Sequence, residues 1–241
     1  MNIAPNAITV TETTEQFSEL CRIMDILLGE NGCSWDKAQT HKSLRPHLLE
    51  ECYEAVEAID NSDMAALCEE LGDVLLQVVL HSYLSDKANK TDSFSLKDVL
   101  QQVSEKLVRR HTHIFGQDKV EVPGDEEKIW EANKLKEKPF ESVADNMRAV
   151  PKAMPALTRA QKVIKRADNT PPLAECFVEL KNLVNSLEAR ASNFSNEDLN
   201  MDEVGKILLL IVMISTKVQI NAEFSLTNAI TTFINSFDRH A

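Results

Sequence analysis

Glu51 and Glu54 stand three residues apart, and Glu70 and Asp73 repeat that spacing. Positions three apart share one face of a helix. Two such pairs on neighbouring helices bring four carboxylates together, and carboxylates crowded in a partly dry site repel one another strongly. A hard divalent cation relieves that repulsion. Mg²⁺ takes oxygen ligands and keeps several waters, which leaves positions for the oxygens of a phosphate-bearing ligand; Mn²⁺ accepts the same donors. Four acids suffice for more than one ion, so a two-metal clamp is open. The same spacing also describes a solvated acidic helix face, and spacing alone does not choose between the two.

The elements that must position these acids are helices. Leu48, Leu49, Cys52, Val56 and Ile59 cover one arc at helical period, with Glu51 at its edge and Glu54 one turn on. Leu67, Leu71, Val74, Leu75 and Val78 cover a second arc, with Glu70 at its edge and Asp73 one turn on. If the two helices pack by these arcs, the four acids converge beside the seam. Gly72, inside the second helix, costs about 1 kcal/mol relative to Ala and points to close helix approach there. The pattern predicts helices over 14–28, 43–61 (Pro46 in its first turn), 63–87 with Asp63 as N-cap, and 95–110 with Ser95 and Asp98 as a capping box. Residues 111–123 form a loop, and 124–138 a short polar helix.

Composition agrees with an all-α protein. The chain has 241 residues, 43% of them hydrophobic and 5% aromatic, with 6 Gly and 8 Pro, too few turn residues for a β architecture of this length. A formal net charge of −12 disfavours nucleic acid and anionic membranes as partners. Cys21, Cys33, Cys52, Cys68 and Cys176 are odd in number and lack C-x-x-C spacing; Cys52 and Cys68 fall on the apolar arcs, which predicts reduced core thiols in a cytosolic protein. The N-terminus lacks the basic region of a signal peptide, and the longest apolar run, Ile207 to Ser215, is too short to span a bilayer. The expectation is a cytoplasmic, soluble protein.

The second half repeats the first weakly. Phe94-Ser95-Leu96 has a counterpart in Phe224-Ser225-Leu226, Glu70-Leu71-Gly72-Asp73 in Glu203-Val204-Gly205-Lys206, and the helix from Leu48 in one from Cys176 to Leu187. This predicts two tandem helical units: 1–140, a connection over 141–170 marked by Pro151 and Pro155, and 171–241.

Leu44-Arg45-Pro46, Leu49-Glu50-Glu51-Cys52-Tyr53-Glu54, Glu69-Glu70-Leu71-Gly72-Asp73, Glu105-Lys106, Arg109-Arg110-His111 and Phe115-Gly116 follow one another in the order seen in MazG nucleotide pyrophosphohydrolases. Gly32-Cys33-Ser34-Trp35-Asp36 and Gln39-Thr40-His41 resemble that family too, with Ser34 where it usually has Pro. The resemblance is close over 14–140 and loose beyond. It implies a MazG-type helical bundle, a homodimer, and Mg²⁺-dependent cleavage of nucleoside triphosphates between the α- and β-phosphates, in the service of nucleotide-pool housekeeping. It implies Glu51, Glu54, Glu70 and Asp73 as metal ligands and Lys106 and Arg110 as phosphate contacts, with Arg109 beside them. It implies Trp130 and Lys134 as a W-x-x-x-K element closing over the nucleotide, Trp35 as a further substrate contact, and Glu50 as the group that orients or deprotonates the attacking water.

The second unit resembles a MazG unit without its chemistry. Glu179 falls where Glu51 does and Glu203 where Glu70 does, but Asn182 replaces Glu54, Lys206 replaces Asp73, Ser236 replaces Lys106 and His240 replaces Arg110. A Lys at a ligand position predicts a catalytically dead unit, with Ile207–Ile214 serving packing or dimerisation. Two other functions stay open at this point: a nucleotide-sensing module without turnover, and a related all-α hydrolase with a narrow substrate, such as a dUTP/dCTP or phosphoribosyl-ATP pyrophosphohydrolase.

Overall fold

The computed structural model describes residues 10–88, 90–120, 122–137, 140–191 and 201–238. Every regular element among them is a helix, and the chain divides into two compact units, Met1–Asn133 and Lys134–Ala241.

The first unit contains α1 (Val10–Leu27), α2 (Ser34–Lys37), α3 (His41–Asp60), α4 (Met64–Ala88), α5 (Leu96–Arg110), α6 (Thr112–Phe115) and most of α7 (Asp125–Glu137), whose last turn passes the division. Helix α6 falls in the stretch expected to be loop. Met24 and Leu28 meet Leu44 of α3 and Val79 and Leu80 of α4 to form the core, with Phe17, Leu20, Leu76, Leu84 and Leu96 packed around it. Two polar ties fix α1 to α4: the Tyr83 hydroxyl donates to the Cys21 carbonyl at 3.0 Å, and Lys87 donates to the Leu28 carbonyl. Burial, with the charge of Asp25 behind it, pushes Tyr83 up to about 12, so this hydroxyl stays a donor through the whole working range of pH.

Helices α3 and α4 form a tight antiparallel hairpin, and its turn sets the register of everything that follows. Ser62 takes a left-handed conformation (φ 55°), so that its own N–H reaches the Ile59 carbonyl and the Asp63 N–H reaches that of Ala58. This closes the last turn of α3 in a Schellman motif. Asp63 then caps α4 through Oδ1, which accepts from the N–H groups of Ala65 and Ala66 at 3.0 and 3.1 Å. At the open end of the hairpin, His41 and His81 stack with ring planes 4° apart and Nδ1 atoms 2.7 Å apart. Burial, and then His41, lower the His81 pKa.

The faces that α3 and α4 turn to each other differ from the expected ones. Leu44, Ala55 and Ala58 are buried along α3, with Glu51 half-buried between them. Along α4, half-buried Glu70 and Asp73 are followed by buried Gln77. Small Ala side chains and the acids themselves thus occupy the seam. Leu49, Val56, Ile59, Leu71, Leu75 and Val78 are exposed, and so are Cys52 and Cys68, which are not core thiols in this chain. Apolar periodicity identifies a face that avoids water but not what covers it, and here the larger residues lie about one position, roughly 100°, around each helix from the seam. Gly72 is also corrected: a Cβ there would meet nothing within 4 Å, so no close approach explains it.

The second unit contains α8 (Val143–Arg148), α9 (Ala156–Lys165), α10 (Leu173–Ala191), α11 (Met201–Lys217) and α12 (Ala222–Asp238). Ile164, Val212 and Ala222 form its core with Leu157, Ala160 and Met213. Gln161 clamps the α11–α12 turn, donating to the Ile220 carbonyl at 2.8 Å and accepting from the Ala222 N–H at 3.0 Å. Among the described residues no single helix is long and apolar enough to cross a membrane; α11 and α12 meet that criterion only as a pair bent by 109°.

Candidate active site

The hairpin register brings Glu51 of α3 opposite Asp73 of α4. One carboxylate oxygen from each of Glu51, Glu70 and Asp73 lies within 4.8 Å of the others, and all three groups are half-buried. Glu54 is exposed but joins them. The Glu51 pKa is raised, first by loss of water contact in the seam and then by the charges of Asp73, Glu54 and Glu50. The Glu70 pKa is raised in the same direction, again first by desolvation and then by Glu54, with which it shares a hydrogen bond, and by Glu69 and Asp73. Among the described residues none of these four acids is ion-paired with Lys, Arg or His. The set is all-oxygen, anionic and internally repulsive, and that donor chemistry fits a hard divalent cation.

Glu50 is next in the chain to Glu51 and points to the solvent side. Its Oε2 is 3.6 Å from Nδ1 of His47. The His47 imidazole meets Trp35 edge to face, with centroids 6.4 Å apart and planes at 67°. Trp35 sits in the short helix α2, and α3 opens just after it, with Thr40 and Ser43 forming a reciprocal capping box. Trp35 and Glu50 stand out in the sequence, whereas His47 between them does not. An imidazole one turn before Glu51 was the available signal.

A second group of the expected residues meets at the corner where α5 turns into α6. The Arg110 guanidinium lies 5.1 Å from the centre of the Trp130 ring, and His111 meets the same ring edge-on at 4.7 Å. Buried Asn133 pins α7 to this corner by donating to the Arg110 carbonyl (3.2 Å) and the Thr112 hydroxyl (2.8 Å). Nothing in a lone Asn on a polar helix announces this role in the sequence. Lys106 is half-buried one turn before Arg110 on α5, and Arg109 is exposed between them. Lys134 follows one turn after Trp130 on α7, beyond the division between the units.

In the second unit Glu203 is held by Arg190, whose guanidinium reaches both carboxylate oxygens at 2.9 and 2.8 Å. Ser236 lies on α12, whereas His240 lies outside the described residues.

An all-α unit whose hairpin seam holds this carboxylate set offers the oxygen donors that a hard divalent cation takes. Comparison with known proteins gives the family. Residues 39–115 match the MazG nucleotide pyrophosphohydrolase domain. A nucleoside triphosphate pyrophosphohydrolase/pyrophosphatase MazG of Thermotoga maritima is 35% identical over 231 residues, covering 92% of this chain and 84% of that one. A nucleoside triphosphate pyrophosphohydrolase of Escherichia coli K12 is 32% identical over 223 residues, covering 89% and 82%. The uncharacterized protein YabN of Bacillus subtilis is 45% identical over 150 residues, which span 62% of this chain and 30% of that protein. The chain belongs to the MazG nucleotide pyrophosphohydrolase family.

Proposed function

We propose that this protein hydrolyses nucleoside triphosphates, ribo- or deoxyribo-, to the monophosphate and pyrophosphate, and that it serves nucleotide-pool housekeeping in the cytoplasm. The observation that carries the reading is the convergence of Glu51, Glu70 and Asp73 within 4.8 Å, with the charge of Glu54 beside them and, among the described residues, no base paired with them. These four residues hold Mg²⁺, or Mn²⁺ in its place. When bound, the ion supplies Lewis-acid polarisation of the phosphate and a lowered pKa for nearby water.

The chain's own groups do the rest. Glu50 orients the attacking water and accepts its proton. Lys106 and Arg110, one turn apart, neutralise charge that shifts onto the phosphate oxygens as the α–β bond breaks, and Arg109 adds to the same field. Trp35 receives the nucleoside, while Trp130, followed by Lys134, closes over it. The exposed stripes of Leu49, Val56 and Ile59 on α3 and Leu71, Leu75 and Val78 on α4 support a homodimer, since contiguous apolar surface of this kind marks an association face. The second unit is catalytically silent.

The test is product identification. The purified protein is incubated with each common NTP and dNTP, with Mg²⁺ or with chelator. Monophosphate and pyrophosphate formed only with the metal are expected. Diphosphate and phosphate would mean that the wrong bond is cut and would overturn the reading.

A further inference from the structure

Trp35 touches His47, and His47 faces Glu50, the chain neighbour of Glu51 in the carboxylate cluster. Trp35 is 58% exposed, so its ring is open to a stacking ligand. On one side the ring meets His47 edge to face at 6.4 Å. The His47 ring is held in turn: Nδ1 faces Glu50 at 3.6 Å, which directs Nε2 away from that carboxylate. His47 also precedes Glu51 by one helical turn, roughly 6 Å along the axis of α3. A nucleotide whose α-phosphate is at the carboxylates has its ribose to span a gap of that order before its base begins.

We infer that His47 is a further substrate-binding residue, forming with Trp35 a two-ring platform for the nucleobase. The inference rests on the reading of the carboxylate cluster as a nucleoside triphosphate site. A π platform accepts any base, because every base has a π face. Pre-setting the indole by the His47 edge removes part of the ordering cost that binding would otherwise carry. Nε2 adds one polar group at the platform's margin.

The test uses the full chain and two readouts. One is calorimetric binding of the α,β-methylene analogue of ATP in Mg²⁺; the other is KM for ATP from pyrophosphate release. His47→Ala is expected to weaken the analogue and raise KM about tenfold, the size of one lost stacking contact. His47→Phe keeps a ring beside Trp35 and is expected to stay within about threefold of wild type. Trp35→Ala resembles His47→Ala, and the double variant loses less than the sum, because the two rings act as one unit. Mg²⁺ binding without nucleotide is expected to hold in all variants. If wild type releases pyrophosphate and His47→Ala changes neither KM nor analogue binding beyond about twofold, within the error of such comparisons, the platform is overturned alone. Equal losses of Mg²⁺ and nucleotide affinity would make His47 a prop for Glu50 and also overturn it. Absence of pyrophosphate release from wild type overturns instead the reading on which the platform rests.

Discussion

The α3–α4 and α10–α11 hairpins echo each other weakly in sequence and treat charge in opposite ways. In the first, Glu51, Glu54, Glu70 and Asp73 face one another, and the raised pKa values of Glu51 and Glu70 record the strain. In the second, the counterpart of Glu70 is Glu203, and Arg190 grips it by both oxygens, while Lys206 stands where Asp73 would. A hairpin whose acids are neutralised by its own side chains is complete as it folds. One whose acids are paired with no base among the described residues presents the donor set that suits a cation from outside. The second hairpin thus differs from the first both in an acid it lacks, Asn182 standing where Glu54 does, and in the bases Arg190 and Lys206 that stand among its acids.

Importing the second hairpin's solution into the first should have the largest effect. Asp73→Lys is expected to abolish metal-dependent pyrophosphate release, a fall of more than about a hundredfold, since even partners outside the ligand set cost 10–100-fold. Helicity by circular dichroism should survive, because a Lys among carboxylates relieves repulsion. Normal turnover in this variant would break the comparison. Glu54→Gln should likewise fold and lose metal-dependent turnover, which would show that the exposed member of the four is a ligand and not a bystander.

The next effect is on stability. A carboxyl whose pKa is higher in the folded than in the unfolded state binds its proton more tightly when folded. Glu51 and Glu70 therefore favour the fold at low pH, and that contribution is lost as pH rises above the ordinary carboxylate value of 4.5 through their raised values. In chelator, Tm should decline across this window from these two groups. Mg²⁺ at about 100 times its Kd should restore roughly 2.7 kcal/mol at neutral pH. Glu70→Gln should reduce both effects, and a Tm indifferent to Mg²⁺ would sink the ligand assignment.

The smallest effect belongs to the second hairpin. Glu203→Gln removes a partly exposed bridge to Arg190, so a loss of at most about 1 kcal/mol in chemical denaturation is expected, with no change in pyrophosphate release. A large fall in turnover would show that the second unit is not silent.

Much of the fold was legible because caps and periods are local. Asp63, Ser95 and Asp98 announce their helix ends through side chains that bond their own backbone neighbours, and α1 merely begins a turn earlier than expected, at Val10. The four acids were legible as a set through their matched spacing. What the sequence did not disclose was which face closes the hairpin. Leu49, Val56 and Leu71 look like core because they are apolar at helical period, but the contact is made through Ala55 and Ala58, whose small side chains allow the carboxylates into the seam. The Arg110–Trp130 contact was beyond reach for a different reason: both residues were singled out, but their meeting depends on Asn133 pinning α7 to the α5–α6 corner, a long-range hydrogen bond with no local signature.

The sequence contains only two tryptophans, and each makes its own ring contacts in the first unit, Trp35 with His47 and Trp130 with His111. Trp35 is largely in water beside an imidazole edge, whereas Trp130 is half-buried under a guanidinium. Their emission should differ in wavelength and in quenching without any added label. Single-tryptophan versions of the chain would thus be two separate optical reporters, one on arrival of a ligand at the α2–α3 side and one on movement of α7. The order in which the two signals change after mixing would give the sequence of binding and closure in real time.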